Sequence, residues 1–108
     1  TGATPTIDEA NGNTQSWTLN AATVTFALPA DAGLQAGTAL TLIISQDGTG
    51  SRAAVFQVSG ATTNVKWAGT TAPTISTAAS AVDIVTFVTA NGGASPVWYG
   101  FLAGQAFA

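Results

Sequence analysis

The side chains that most often carry out chemistry in proteins are scarce in this sequence. Its 108 residues include no His and no Cys, and charged residues make up 6%. His is the commonest general base and metal ligand, and Cys supplies the thiolates of redox and metal sites. The Ser residues have no His to activate them and lie in no G-x-S-x-G motif. We therefore predict that the protein is not an enzyme and uses no cofactor and no metal ion.

Two of the few charged residues lie at or within apolar strand-like runs and could meet. Arg52 stands just before one such run and Asp83 stands inside another. If the two strands are neighbours, the side chains form a structural ion pair; the alternative is that each is solvated at a strand end. An exposed pair contributes only about 0 to 1 kcal/mol, so we expect it to fix strand register rather than to take part in catalysis.

Four aromatic residues are the side chains best suited to hold a ligand, namely Trp17, Trp67, Trp98 and Tyr99. Flat aromatic rings stack on sugar rings, and the polar tips of Trp and Tyr fix orientation. Against this, a β-domain of this size needs large residues in its core, so we expect about two of the three Trp to be mostly buried. Trp98 and Tyr99 are consecutive and must face opposite sides of a strand. One of them is therefore available for a glycan or an interface.

The charge balance limits the classes of partner. The formal net charge is −3, with two basic residues in the chain. Nucleic acids and anionic membrane surfaces are bound by clusters of Lys and Arg, and no apolar run approaches the roughly 18 residues of a spanning helix. We therefore expect neither nucleic acid nor membrane as a partner. Because the edge strands of solitary sheet proteins usually carry charges, the low charge indicates a homo-oligomer.

The distribution of residue types predicts an all-β fold. Val, Ile, Phe, Trp and Thr recur in short runs separated by Gly, Asn, Asp and Pro, which is typical of strands and turns. We expect seven to eight short strands in an antiparallel β-sandwich, with a jelly-roll-like arrangement or a small barrel as alternatives. Residues 1–16 are predicted to form a flexible or arm-like segment and residues 17–108 a single β-domain. Short strands are predicted at 64–67 and 74–77.

Two β-hairpins are predicted from turn residues between alternating runs. Leu40, Leu42 and Ile44 share one face of a strand that ends before the turn 47–50, and a second alternating run follows, which predicts a hairpin over residues 38–59. The runs at 82–89 and 97–102, separated by Asn-Gly-Gly, predict another hairpin. Asp47 is interpreted as a turn residue, because the calcium and phosphate-loop motifs that it superficially resembles are incomplete.

Five short motifs follow one another along the chain, namely Gln46–Arg52, Asn64–Gly69, Ala72–Ile75, Ala81–Ile84 and Trp98–Gly100. In this order they resemble a recurrent bacteriophage module. Together they are similar to the β-rich domain of tailed-phage tail fibres and other small virion structural proteins, and the similarity runs from about Leu40 to Phe107.

This resemblance implies a non-enzymatic structural role in the virion. The expected function is a self-assembling β-module of a tail fibre or of the capsid surface, where it would act in decoration. The expected partners are copies of the same chain, with a trimer favoured, and other virion proteins. The alternative is a carbohydrate-binding receptor-recognition module at a fibre tip, whose partner is a host surface glycan.

Overall fold

The computed structural model describes residues 5–8 and 12–107, and in this part of the chain the regular structure is almost entirely strand. The all-β prediction is confirmed. Within residues 5–8 and 12–107 there is no helix with the length and apolar character that a membrane crossing needs. The described strands are β1 (Thr14–Leu19), β2 (Thr23–Ala27), β3 (Ala39–Gln46), β4 (Ala53–Gln57), β5 (Val65–Trp67), β6 (Val82–Thr89) and β7 (Trp98–Phe107).

The strands form two sheets that pack as a small sandwich. One sheet has five strands in the order β1-β3-β6-β7-β5, and the other pairs β2 with β4. Phe56 of β4 links the layers, because its ring stacks on Phe26 of β2 at 5.4 Å and contacts Phe87 of β6 at 5.0 Å between centroids. None of the strands β1 to β7 belongs to both sheets, so the sheets do not close into a barrel and the arrangement fits a sandwich.

The period-two alternation of apolar residues decides which face of each strand is buried. In β3, Leu40, Leu42 and Ile44 are buried, whereas the residues between them are partly exposed. In β6, Val85 and Phe87 are fully buried on the same side of the sheet. Successive side chains point to opposite faces of a strand, so this pattern places one apolar face against β2 and β4.

The expectation of a purely antiparallel arrangement is corrected by the strand pairing, which is mixed. β3 with β6 and β6 with β7 are antiparallel, whereas β1–β3, β2–β4 and β5–β7 are parallel. The chain changes layer at each connection from β1 to β4. Each strand therefore returns to its own sheet two strands later and runs in the same direction as its neighbour.

The predicted hairpin over residues 38–59 is wrong, and the one over 82–102 is confirmed. β3 and β4 belong to different sheets, so the turn 47–50 is a corner between layers rather than a hairpin turn. β6 and β7 pair antiparallel with Val85 opposite Leu102. Both segments have a Gly-rich turn between two runs of alternating apolar residues. This local pattern is the same whether the next strand joins the same sheet or the other one.

The predicted strand at 64–67 is confirmed as β5, but residues 74–77 form no strand. The N–H of Ser76 donates to the Asp83 carboxylate at 2.7 Å, and its carbonyl accepts from Nε2 of Gln46 at 2.8 Å. Two buried side chains thus bind the N–H and the C=O of Ser76, which in a strand would bond to backbone partners.

The segment predicted as an arm is partly packed against the domain. Residues 1–4 and 9–11 of the predicted arm 1–16 lie outside the described residues. Ile7 is 1% exposed, and its N–H donates to the carbonyl of Ala27 at 2.8 Å. Thr14–Ser16 belong to β1, so the boundary predicted after residue 16 falls inside a strand.

Candidate interaction surface

The predicted ion pair is wrong in one partner, because Arg52 pairs with Asp47 instead of Asp83. The guanidinium Nη2 lies 3.0 Å from Oδ2 of Asp47 at the corner between β3 and β4. This hydrogen bond, together with those from the N–H groups of Gly50 and Thr49, lowers the pKa of Asp47 below its ordinary value of 3.8. The pair therefore stabilises the corner, and its charges lie away from the sheet faces.

Asp83 instead uses both carboxylate oxygens to bind backbone. It is 1% exposed and accepts N–H groups from Ser76 at 2.7 Å and from Ala106 at 2.8 Å. Buried carboxylates are tolerated when such hydrogen bonds replace the lost hydration. Asp83 lies on the core face of β6, and its hydrogen bonds to backbone take the place of the predicted bond to Arg52.

The three Trp residues belong largely to the core. Trp98 is fully buried, and its Nε1 donates to the carbonyl of Pro29 at 3.0 Å. Trp67 is half-buried and contacts Phe56 and Phe87 edge-on, with centroid distances of 5.5 and 5.4 Å.

Trp17 is also half-buried and packs on the core. Its ring meets Phe26 edge-on at 6.0 Å. Its Nε1 is buried and has no hydrogen-bond partner among the described residues. The polar tip of Trp17 is therefore turned away from any ligand in solution.

Tyr99 is the one of the four predicted aromatic residues whose ring is largely exposed. Its exposed fraction is 51%, whereas that of the preceding Trp98 is 0%, so the prediction that the two face opposite sides is confirmed. Phe101 and Phe107 are 45% and 50% exposed. Sequence reasoning missed both, although the alternation that begins at Tyr99 places Phe101 on the same face.

These rings lie on what we call the outer face, the side of the five-stranded sheet that is turned away from the core. The pairing aligns Tyr99 with Val88 and Phe101 with Thr86. A Cβ placed on Gly104 would lie 2.5 Å from the ring of Phe107, which shows that this ring folds back over the strand. The large side chains of the outer face are Ile43, Val82, Ile84, Val88, Tyr99, Phe101 and Phe107.

The outer face is nearly free of charge. Among the charged residues that the structure describes, Lys66 of β5, aligned with Tyr99, alone points from a strand to this face. The sheet side that faces water in antiparallel proteins normally carries polar and charged residues. Aromatic residues in place of charges are instead typical of protein–protein interfaces.

The fold and this surface define a small two-layer all-β protein with a nearly uncharged, aromatic outer sheet face. In comparisons with known proteins, no family model, curated protein or solved structure matches the chain.

Proposed function

We propose that the protein is a non-enzymatic structural module that assembles with copies of itself through the outer face, as part of a bacteriophage virion. The observation that supports self-assembly is the exposure of Tyr99, Phe101 and Phe107 at 45 to 51% on a sheet face that is nearly free of charge. The virion context, in a tail fibre or on the capsid surface as decoration, rests on the sequence motifs alone.

Leaving such an apolar face in water costs free energy that association would recover. Each aromatic side chain can bury about 150–250 Å², and apolar burial stabilises by roughly 25 cal/mol per Å². Ile84 and Val88 of β6 lie on the same face as the rings and add aliphatic area that a second molecule would cover. In a trimer, the favoured state, each copy would present this face to a different patch on the next copy in a closed ring.

The test is the absolute mass of the protein by light scattering over a concentration series. We expect the wild type to be an oligomer and Phe101→Lys to shift the dissociation midpoint at least about tenfold higher, because a buried unpaired charge opposes association. Ala32→Lys, which adds the same charge at an exposed turn, is the matched control. A wild type that stays monomeric at high concentration, or equal behaviour of the two variants, would contradict self-assembly through this face.

A second candidate function is carbohydrate binding at a fibre tip, which the exposed ring of Tyr99 supports. The residue is 51% exposed, and stacking on a host surface glycan requires an exposed ring. A titration with a glycan panel followed by NMR would show saturable shifts around Tyr99 that Tyr99→Ala abolishes. No shift across the panel would leave the structural module as the better proposal.

A further inference from the structure

β4 has an edge whose backbone groups lack strand partners. Within the described residues β4 pairs only with β2, in parallel. The N–H of Ala53 donates to Ala22 and the carbonyl of Gln57 accepts from Leu28, so the odd-numbered residues of β4 bond to β2. Alternate residues of a parallel strand direct their N–H and C=O groups to opposite sides. Ala54 and Phe56 therefore direct theirs to the free edge.

A groove runs along this free edge, and we call it the β4 groove. Its far wall is the segment 72–77, which touches the chain before β4 where the N–H of Ser51 donates to the carbonyl of Thr77 at 2.7 Å. Beyond that contact no backbone hydrogen bond joins the described residues of the wall to β4, and Gln46 and Asp83 hold the backbone of Ser76 instead. Two adjoining clefts of about 270 and 230 Å³ fill the gap.

The lining of the β4 groove indicates what could occupy it. The two clefts share Ala54 and Pro73, and Phe56 and Trp67 form an apolar end. Arg52 is the charged residue of the lining, and its guanidinium is already engaged by Asp47. Each cleft is smaller than the roughly 300–1,000 Å³ of a usual small-molecule site. Unpaired N–H and C=O groups two residues apart match the repeat of an extended strand.

We propose that the β4 groove binds an extended, uncharged peptide segment of a partner protein, which adds to β2 and β4 as a third strand. The backbone of the peptide would hydrogen-bond to Ala54 and Phe56, and an apolar side chain would enter the end formed by Phe56 and Trp67. Main-chain hydrogen bonds give affinity in such strand addition, and pockets for alternate side chains give specificity. The groove belongs to the layer opposite the outer face, so this inference is independent of the proposed self-assembly.

Amide hydrogen exchange measured by NMR tests this directly. The probe is a capped five-residue peptide that alternates Thr and Val, and the control is the same peptide with Pro at its centre, which removes the central N–H. In the free protein we expect the amides of Ala54 and Phe56 to exchange at least about tenfold faster than that of Val55. About millimolar peptide should slow exchange at Ala54 and Phe56 at least about tenfold, and the Pro peptide should not.

Substitutions inside and outside the β4 groove show whether the peptide acts there. Ala72→Trp places a large ring in the groove from an exposed position and should abolish the effect of the peptide, whereas Ala32→Trp should retain it. Phe101→Lys should also retain it, which distinguishes a failed groove from a failed outer face. Amides of Ala54 and Phe56 that are as protected as Val55 in the free protein, or exchange that the Thr and Val peptide leaves unchanged, would overturn the proposal.

Discussion

Gly100 lies at a point in the core where there is no room for a side chain. A Cβ at this position would lie 2.7 Å from Cζ3 of Trp67 and 2.9 Å from Cε1 of Phe87. The reason for glycine here is close packing between two aromatic rings, which β7 must cross to pair with β6. The cost of adding a side chain here can be measured with a single substitution.

Gly100→Ala is predicted to lower the free energy of unfolding by about 1–3 kcal/mol, the usual cost of overpacking a core. The measurement is urea-induced unfolding followed by Trp fluorescence. Gly48→Ala is the matched control, because a Cβ there meets nothing within 4 Å, and we expect its effect to stay within about 0.5 kcal/mol. Equal effects of the two substitutions would show that the rings move aside freely.

The Asp47–Arg52 pair predicts a pH dependence of stability. The hydrogen bond from Arg52 holds the pKa of Asp47 below the 3.8 of the unfolded chain. A carboxyl whose folded-state pKa is depressed stabilises the fold fully above its unfolded pKa, and this contribution is lost as the pH falls through the folded value. We expect the stability difference between wild type and Asp47→Asn to be largest near neutral pH and to vanish in acid.

The measurement is urea-induced unfolding of both proteins from about pH 6 to about pH 2. Because the two side chains are 22% and 24% exposed, the difference should shrink in about 1 M NaCl, which screens exposed pairs. Asp31→Asn, in an exposed turn, controls for the loss of one negative charge. A difference that grows as the pH falls would contradict the assignment.

At the scale of elements, Gln46 fixes the corner at which the chain leaves one sheet for the other. This buried side chain ends β3 and accepts the N–H of Arg52 at 3.0 Å. Its Nε2 donates to the carbonyls of Arg52 and Ser76, both at 2.8 Å. One side-chain amide thus joins β3, the start of β4 and the wall of the β4 groove.

Gln46→Leu keeps the approximate size of the side chain but leaves three backbone groups without their partner. We predict a loss of about 3 kcal/mol in the free energy of unfolding, since each buried unpaired group costs about 1–3 kcal/mol and some will find water. Gln35→Leu, at an exposed loop position, is the control. Exchange of the Arg52 amide should accelerate in Gln46→Leu. If Gln46→Leu were as stable as Gln35→Leu, the corner would not depend on the hydrogen bonds of Gln46.

At the scale of the whole molecule, the pairing of strands that are distant in sequence predicts slow folding. β1 pairs with β3, β2 with β4 and β5 with β7, and in each pair another strand intervenes along the chain. Loops must close before these contacts form, and β-rich domains with such topology fold in about milliseconds to seconds. Stopped-flow refolding from urea measures this rate, and refolding within microseconds would contradict the topology.

Part of the candidate surface could be predicted from sequence. Trp98 and Tyr99 are consecutive, so one of them was expected in the core and the other on the surface, because neighbouring side chains of a strand point to opposite sides. The same alternation could have predicted that Phe101 lies on the face of Tyr99. Phe107 was not, because its position depends on irregular pairing between β6 and β7 near Val82 and Ile84. The partner of Arg52 depended on which strands share a sheet.

The sequence by itself determined the all-β class, the alternating faces of β3 and the hairpin of β6 and β7. These features rest on period-two patterns and turn residues, which act over a few neighbouring residues. Only the tertiary structure decided that β3 and β4 lie in different layers and that Ser76 is held by side chains. It also decided that Tyr99, Phe101 and Phe107 remain uncovered by the rest of the chain. These outcomes depend on packing between residues far apart in the chain, and a local pattern is the same whichever distant partner satisfies it.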